Sequence, residues 1–115
     1  METKQAVQAL SALAQGTRLD VYRLLVQAGP EGMAAGQIGE KLDLAPATLS
    51  FHLAGLTRAG LAKSRPEGRF VIYSADFQAM NALVGYLSEN CCGGRACSTS
   101  PGETDEALPR ARRSA

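Results

Sequence analysis

The order of apolar and turn residues between positions 36 and 73 constrains the fold of this chain more than any other feature. Ile38 and Leu42 lie four residues apart, which predicts a short helix from residue 36 to Leu42. A second helix begins near Pro46, because proline suits the first helical position, and it ends at Gly60. The few residues between the two helices leave room only for a tight turn.

A hairpin is predicted directly after this second helix. Two short strands follow, at residues 61–65 and 69–74, and the turn residues Pro66, Glu67 and Gly68 lie between them. Helix, tight turn, helix and hairpin in this order form a winged helix-turn-helix, which lays one helix in the major groove of DNA. The sequence therefore predicts a mainly α-helical fold with a small β-hairpin and a DNA-binding function.

Three further helices are predicted by the spacing of apolar residues: residues 4–14, Thr17 to about Ala28, and Phe77 to Asn90. The apolar stripes on the first and last helices are larger than a monomer normally exposes. We therefore expect these helices to form a homodimer. The residues assigned to this dimer interface are Val7, Leu10, Leu13, Met80, Leu83, Val84 and Leu87.

The length of 115 residues suits one domain, and no apolar run is long enough to cross a bilayer. Since the N-terminus also lacks a secretory pattern, we expect a cytoplasmic protein with no membrane partner. Residues 1–92 are assigned to the DNA-binding and dimerisation domain, and residues 93–97 to a cysteine-containing loop. Residues 98–115 have low hydrophobicity with proline and mixed charge, which predicts a disordered tail.

The side of the second helix opposite its leucine stripe is the expected recognition surface. Small residues such as Ala54 and Gly55 allow close approach to a groove, and Phe51 suits contact with a thymine methyl. Short hydroxyl side chains suit base edges or phosphates. The basic hairpin residues suit phosphates or the minor groove, although an ordinary solvated surface would also explain them. The predicted DNA-contact residues are Ala47, Thr48, Ser50, Phe51, His52, Arg58, Lys63, Arg65 and Arg69.

Charge is distributed unevenly along the chain. The formal net charge is only +1, but residues 45–73 carry four basic side chains against one acidic side chain. A local basic patch on a nearly neutral body is typical of a specific DNA binder. His52 lies at the edge of the leucine stripe, so a DNA contact and a satisfied histidine at the core edge both remain open. A metal site there is disfavoured because no second ligand lies nearby.

All three cysteines, Cys91, Cys92 and Cys97, fall within seven residues. An odd count in a chain without an export signal argues against a disulfide framework. Thiolates are soft ligands, and three of them match three-coordinate As(III), whereas zinc usually takes four ligands. We therefore predict an As(III) site, with Sb(III) and methylarsenite as related ligands and no catalytic cofactor. A redox switch and adventitious tail cysteines remain as alternatives.

Three stretches of the sequence resemble the ArsR/SmtB family of metal- and metalloid-responsive repressors. They are ALAQGTRLDVYRLL at residues 12–25, TLSFHLAGLTRAGL at 48–61 and EGRFVIYS at 67–74. The resemblance covers about residues 8–92. It implies a homodimer, built from the first and last helices, that binds a palindromic operator and releases it when an inducer binds. It also implies that Thr48, Ser50 and Phe51 lie at the DNA-facing start of the recognition helix.

The sequence departs from the best-known inducer site of the family, because residues 33–44 contain no cysteine or histidine. The last helix also lacks the acidic and histidine pairs of the family's zinc sensors. Some members sense arsenite through cysteines at the end of that helix, and ENCCGGRAC is similar to those. The expected function is a non-enzymatic repressor of arsenic-resistance genes that As(III) releases from its operator. The alternatives are a redox-sensing repressor of the same fold and, third, a small thiol enzyme or metalloid carrier.

Overall fold

The computed structural model describes residues 1–94, so Cys97 and the predicted tail at 98–115 lie outside the described part of the chain. Among residues 1–94, no helix combines the length and apolarity needed to span a bilayer. The elements are α1 (Thr3–Leu13), α2 (Gly16–Ala28), β1 (Met33–Ala34), α3 (Ala35–Leu42), α4 (Pro46–Arg58), β2 (Ala62–Glu67), β3 (Phe70–Ala75), α5 (Phe77–Leu87) and a 3₁₀ turn (Cys91–Gly94). This order confirms the predicted winged helix-turn-helix.

The core lies between the helices and the sheet, and α1 and α5 contribute to it through Ala6, Ala9, Ala12 and Leu83. The leucine stripe of α4 is buried, since Leu49, Leu53 and Leu56 are at most 4% exposed. Each fully buried leucine contributes about 1.5–3 kcal/mol relative to an exposed one. On α2 the buried side differs from a simple apolar stripe, because Val21 is buried whereas Leu19 is 39% exposed.

Two predicted helix ends differ from the structure for local reasons. The side-chain oxygen of Gln15 accepts a hydrogen bond from the backbone nitrogen of Arg18 at 2.7 Å, so Gln15 caps α2 and the helix begins at Gly16 instead of Thr17. At the other end of the chain, α5 stops at Leu87 rather than Asn90. The hydroxyl of Ser88 donates to the Val84 carbonyl at 2.8 Å, and such local hydrogen bonds compete with helix continuation.

The predicted two-stranded hairpin is part of a three-stranded antiparallel sheet with the order β1-β3-β2. Met33 and Ala34 of β1 pair with Tyr73 and Ile72 of β3. A strand of two residues is too short to give an alternating pattern, so the sequence did not reveal it.

The predicted turn of the hairpin was also wrong in its position. Pro66 and Glu67 lie in β2, and the turn consists of Gly68 and Arg69 between the paired residues Glu67 and Phe70. Gly68 has φ of +63°, a conformation that favours glycine at the first position of a two-residue hairpin turn. Pro66 is tolerated because β2 is an edge strand.

Candidate nucleic-acid interface and cysteine site

Helix α4 is fixed on one side by its leucines and leaves the other side open. It begins at Pro46, and its N-cap residue Ala45 offers no side-chain hydrogen bond to the first turn. The predicted base-contact residues at the start of the helix are all exposed, and Phe51 is exposed by 62%. Because the buried leucines fix α4 to the core, the exposed ring of Phe51 on its other side is able to enter a groove. These exposed residues are Ala47, Thr48, Ser50 and Phe51.

Arg18 of α2 reaches this same side of α4, a contact that the sequence did not predict. Its guanidinium carbon lies 5.6 Å from the centroid of the Phe51 ring, within the range of a cation–π contact. The same group covers Gly55, where an added Cβ would lie 3.0 Å from the guanidinium carbon. Gly55 is therefore buried rather than exposed. No local pattern predicts this contact, because the two residues belong to different helices.

His52 is buried, with only 6% of its surface exposed, so the structure does not support the predicted DNA contact. Its ring packs edge-on against Phe51 at a centroid distance of 5.4 Å. The prediction of a satisfied histidine also needs correction, since Nδ1 has no hydrogen-bond partner within residues 1–94. Burial, and to a smaller extent the charge of Arg18, lowers the pKa of His52 below 6.5.

The lowered pKa of His52 predicts a loss of stability in mild acid. Below about pH 6.5 the unfolded chain binds this proton more readily than the folded chain. The free energy of unfolding should therefore fall as the pH drops from 6.5 through the folded-state pKa of His52. Urea unfolding at about pH 7.5 and about pH 5.5 should show a smaller loss for His52→Gln than for the wild type. Equal losses in the two proteins would contradict this assignment.

The basic side chains of the hairpin do not all have the same surroundings. Lys63 and Arg69 are exposed, and Arg69 lies in the turn itself. Arg65 donates from Nη2 to the backbone carbonyl of Glu31 at 2.8 Å and lies 3.5 Å from a carboxylate oxygen of Glu67. Arg65 thus ties the hairpin to the turn before β1. The Arg65 side chain nevertheless remains 45% exposed, so its contact with DNA stays a prediction.

A second exposed surface is formed by α1 and α5. Four apolar side chains of the predicted dimer interface are between 43% and 60% exposed: Val7, Leu10, Val84 and Leu87. Leu13 and Met80 are half-buried, and Leu83 is only 6% exposed in its own chain, so Leu83 belongs to the core rather than to this surface. The hydroxyl groups of Thr3 and Tyr86 share a hydrogen bond that joins α1 to α5.

Cys91 and Cys92 are exposed in the 3₁₀ turn that begins four residues after the end of α5. The backbone nitrogen of Cys91 donates to the Ser88 carbonyl at 3.0 Å. Asn90 and Cys92 have φ of 57° and 58°, so the chain changes direction on leaving the helix. Within residues 1–94, no group of three His, Cys, Asp or Glu side chains is arranged to hold a metal ion.

Comparison with known proteins agrees with this geometry. A helix-turn-helix domain family matches residues 13–65. The transcriptional activator HlyU of Vibrio cholerae is 31% identical over 88 residues, which cover 76% of this chain and 79% of HlyU. An NMR structure of Mb0332 from Mycobacterium bovis, described as a homodimeric winged helix-turn-helix domain and a possible ArsR-family regulator, is also similar. Its TM-score is 0.60 at 26% identity, with 84% of this chain and 89% of that chain covered. The chain belongs to the ArsR/SmtB family.

Another relative connects the family to arsenic by name. The putative arsenical resistance operon repressor of Halobacterium salinarum is 35% identical over 78 residues, which cover 68% of this chain and 60% of the repressor. The relatives are named as regulators, so this ArsR/SmtB protein is a DNA-binding transcriptional regulator and not an enzyme. As a helix-turn-helix regulator it binds double-stranded DNA. The similar domain of Mb0332 is described as homodimeric.

Proposed function

We propose that this ArsR/SmtB protein is a cytoplasmic repressor that releases its operator when As(III) binds Cys91, Cys92 and Cys97. The release would derepress arsenic-resistance genes. The observation that carries the proposal is the position of the cysteines. Two adjacent thiols are exposed four and five residues after the end of α5, the helix that also bears the exposed apolar side chains Val84 and Leu87.

The chemistry of the thiols matches trivalent arsenic. Arsenite, As(OH)₃, condenses with three thiols to form three As–S bonds and three water molecules, with no change in oxidation state. Soft thiolate ligands favour such a centre over hard cations. Sb(III) would react in the same way, and methylarsenite would need only two of the three sulfurs. Cys97 lies outside the described residues, so its part in the site is the prediction made from the sequence.

The DNA-bound form uses the exposed side of α4 and the hairpin. In this proposal Phe51, Thr48 and Ser50 contact base edges, and Ala47 permits close approach to the groove. Arg58, Lys63 and Arg69 contact phosphates, which position the protein without reading the sequence. The α1 and α5 surfaces of two copies join, so the two recognition helices face a palindromic operator.

Coupling between the two sites passes through α5. Closure of three thiols on one arsenic atom would alter the geometry at the end of α5, four residues after Leu87. The hydrogen bond between Tyr86 and Thr3 transmits a change there to α1, the other helix of the dimer surface. A coupling free energy of about 1–3 kcal/mol would then weaken operator binding about 5- to 150-fold.

Arsenite should therefore weaken operator binding of the wild type about 5- to 150-fold under reducing conditions. Fluorescence anisotropy with a labelled operator duplex measures this directly, and hydrogen peroxide in place of arsenite serves as the comparison. The proposal would be abandoned if peroxide released the operator while arsenite left the affinity unchanged.

That opposite outcome would select a thiol-based redox sensor of the same fold. One observation favours keeping this second candidate. HlyU of Vibrio cholerae has also been solved in a form described as reduced, which matches this chain with a TM-score of 0.61 at 30% identity. Exposed Cys91 and Cys92 would supply the thiols in this alternative as well.

A further inference from the structure

A cleft beside the recognition surface is lined by two arginines from different helices. It is an open cavity of about 470 Å³ between α1, α2 and the second half of α4. Arg18 of α2 and Arg58 of α4 both line it, together with the polar side chains of Gln8 and Ser11 from α1. Among residues 1–94, no acidic side chain lines the cleft.

The hydrogen-bonding capacity of the two guanidinium groups is largely unused. The ion pair found in the described part of the chain joins Arg65 to Glu67, so neither Arg18 nor Arg58 is neutralised there. The Nε atom of Arg18 is buried and has no hydrogen-bond partner in residues 1–94. A guanidinium group has only donors, and a buried donor without an acceptor costs about 1–3 kcal/mol. The cleft is therefore suited to an anion that supplies oxygen acceptors.

The location of the cleft identifies the anion. Phe51, Gly55 and Arg58 are spaced four and three residues apart, so they follow one side of α4. Arg18 covers Gly55 and lies against Phe51, which places its charge at the edge of the surface that enters the groove. Phosphates border a helix in the major groove, and arginine binds them with two parallel hydrogen bonds.

We propose that Arg18 and Arg58 together bind a DNA backbone phosphate in this cleft, so that α2 contributes a DNA contact beside the recognition helix. The inference rests on the DNA-binding function of the family and not on the arsenic site. It adds Arg18 to the interface and gives Arg58 a partner. With two protomers on one operator, two such phosphate contacts would form.

The salt dependence of operator binding tests this proposal. Each phosphate contact contributes about 0.9 to the slope of log affinity against log salt concentration. Because Arg58 still faces the phosphate in Arg18→Gln, the slope should fall measurably, by at most about 2 for the dimer. Arg18→Lys, which keeps the charge, should retain most of the slope. Arg23→Gln removes an exposed arginine elsewhere on α2 and should leave the slope unchanged. Thermal unfolding of each variant confirms that it is folded.

An Arg18→Gln slope equal to that of the wild type would overturn the proposal, even if the affinity fell, because Arg18 would then only position Phe51. Free phosphate is the other possible occupant of the cleft. Thermal unfolding without DNA, in potassium phosphate and in potassium chloride of equal ionic strength, shows whether free phosphate binds there. If the slope is unchanged while phosphate stabilises the wild type and not Arg18→Gln, the cleft binds free phosphate instead. Failure of the wild type to bind any operator DNA would refute the DNA-binding function itself, and this outcome is distinguishable from failure of the Arg18 proposal alone.

Discussion

The Phe51→Glu variant is expected to bind operator DNA about 100-fold or more weakly than the wild type, because a like-charge approach at an interface costs several kcal/mol. Phe51 is 62% exposed and lies on the side of α4 that faces away from the leucine stripe. In the groove, the substitution would place a carboxylate among the DNA phosphates. The apolar contact of the Phe51 ring with a base would also be lost. Electrophoretic or anisotropy titrations with the operator duplex give the ratio of the two affinities.

Phe51→Leu is the matched control for this variant. It keeps an apolar side chain at the same position, so its operator affinity should fall by less than about tenfold. Both variants should unfold within about 1 kcal/mol of the wild type, since the side chain is mostly exposed and loses only its surface contacts with Arg18 and His52. Wild-type affinity in Phe51→Glu would show that this side of α4 does not face DNA.

The Gly32→Ala variant is expected to lower the free energy of unfolding by about 2–4 kcal/mol. Gly32 has φ of +76°, where an L side chain is strained. An added Cβ would also lie 2.3 Å from the backbone carbonyl oxygen of Tyr73, the residue that pairs with Met33 in the sheet. Because the obstructing atom belongs to backbone of β3, relief requires the sheet to shift. Urea unfolding monitored by circular dichroism measures the effect.

Gly16→Ala provides the comparison for Gly32→Ala. An added Cβ at Gly16 meets no atom of residues 1–94 within 4 Å, and the residue begins α2 without a positive φ. Alanine is favoured over glycine in a helix, so the change in unfolding free energy should stay within about 1 kcal/mol and be neutral or stabilising. A similar loss in both variants would contradict the steric explanation for Gly32.

The features that the sequence predicted well are those set by residues close together along the chain. The spacing of Leu49, Leu53 and Leu56 determines which side of α4 is buried, whatever packs against it. The same periodicity located α1 and α5 and their exposed apolar side chains. Proline at position 46 marked the start of α4, because its missing backbone donor is not needed there.

The features that the sequence did not predict depend on contacts between distant segments. The strand β1 exists because Met33 pairs with Tyr73 across forty residues. Arg65 donates a hydrogen bond to the carbonyl of Glu31. Arg18 packs over Gly55 and Phe51. Neither contact leaves a periodic signal in the sequence. A charged side chain on a predicted surface therefore gives little information about its partner until the fold is known.

The operator affinity of Cys91→Ser/Cys92→Ser, measured with and without arsenite beside the wild type, tests the central claim most directly. The double variant should bind the operator as the wild type does, because both side chains are exposed and lie outside α4 and the hairpin. Glu89→Gln, an exposed substitution next to the cysteines, should respond to arsenite as the wild type does. We predict that arsenite weakens wild-type binding about 5- to 150-fold and leaves the double variant unchanged. Equal release of the operator from both proteins would contradict the account.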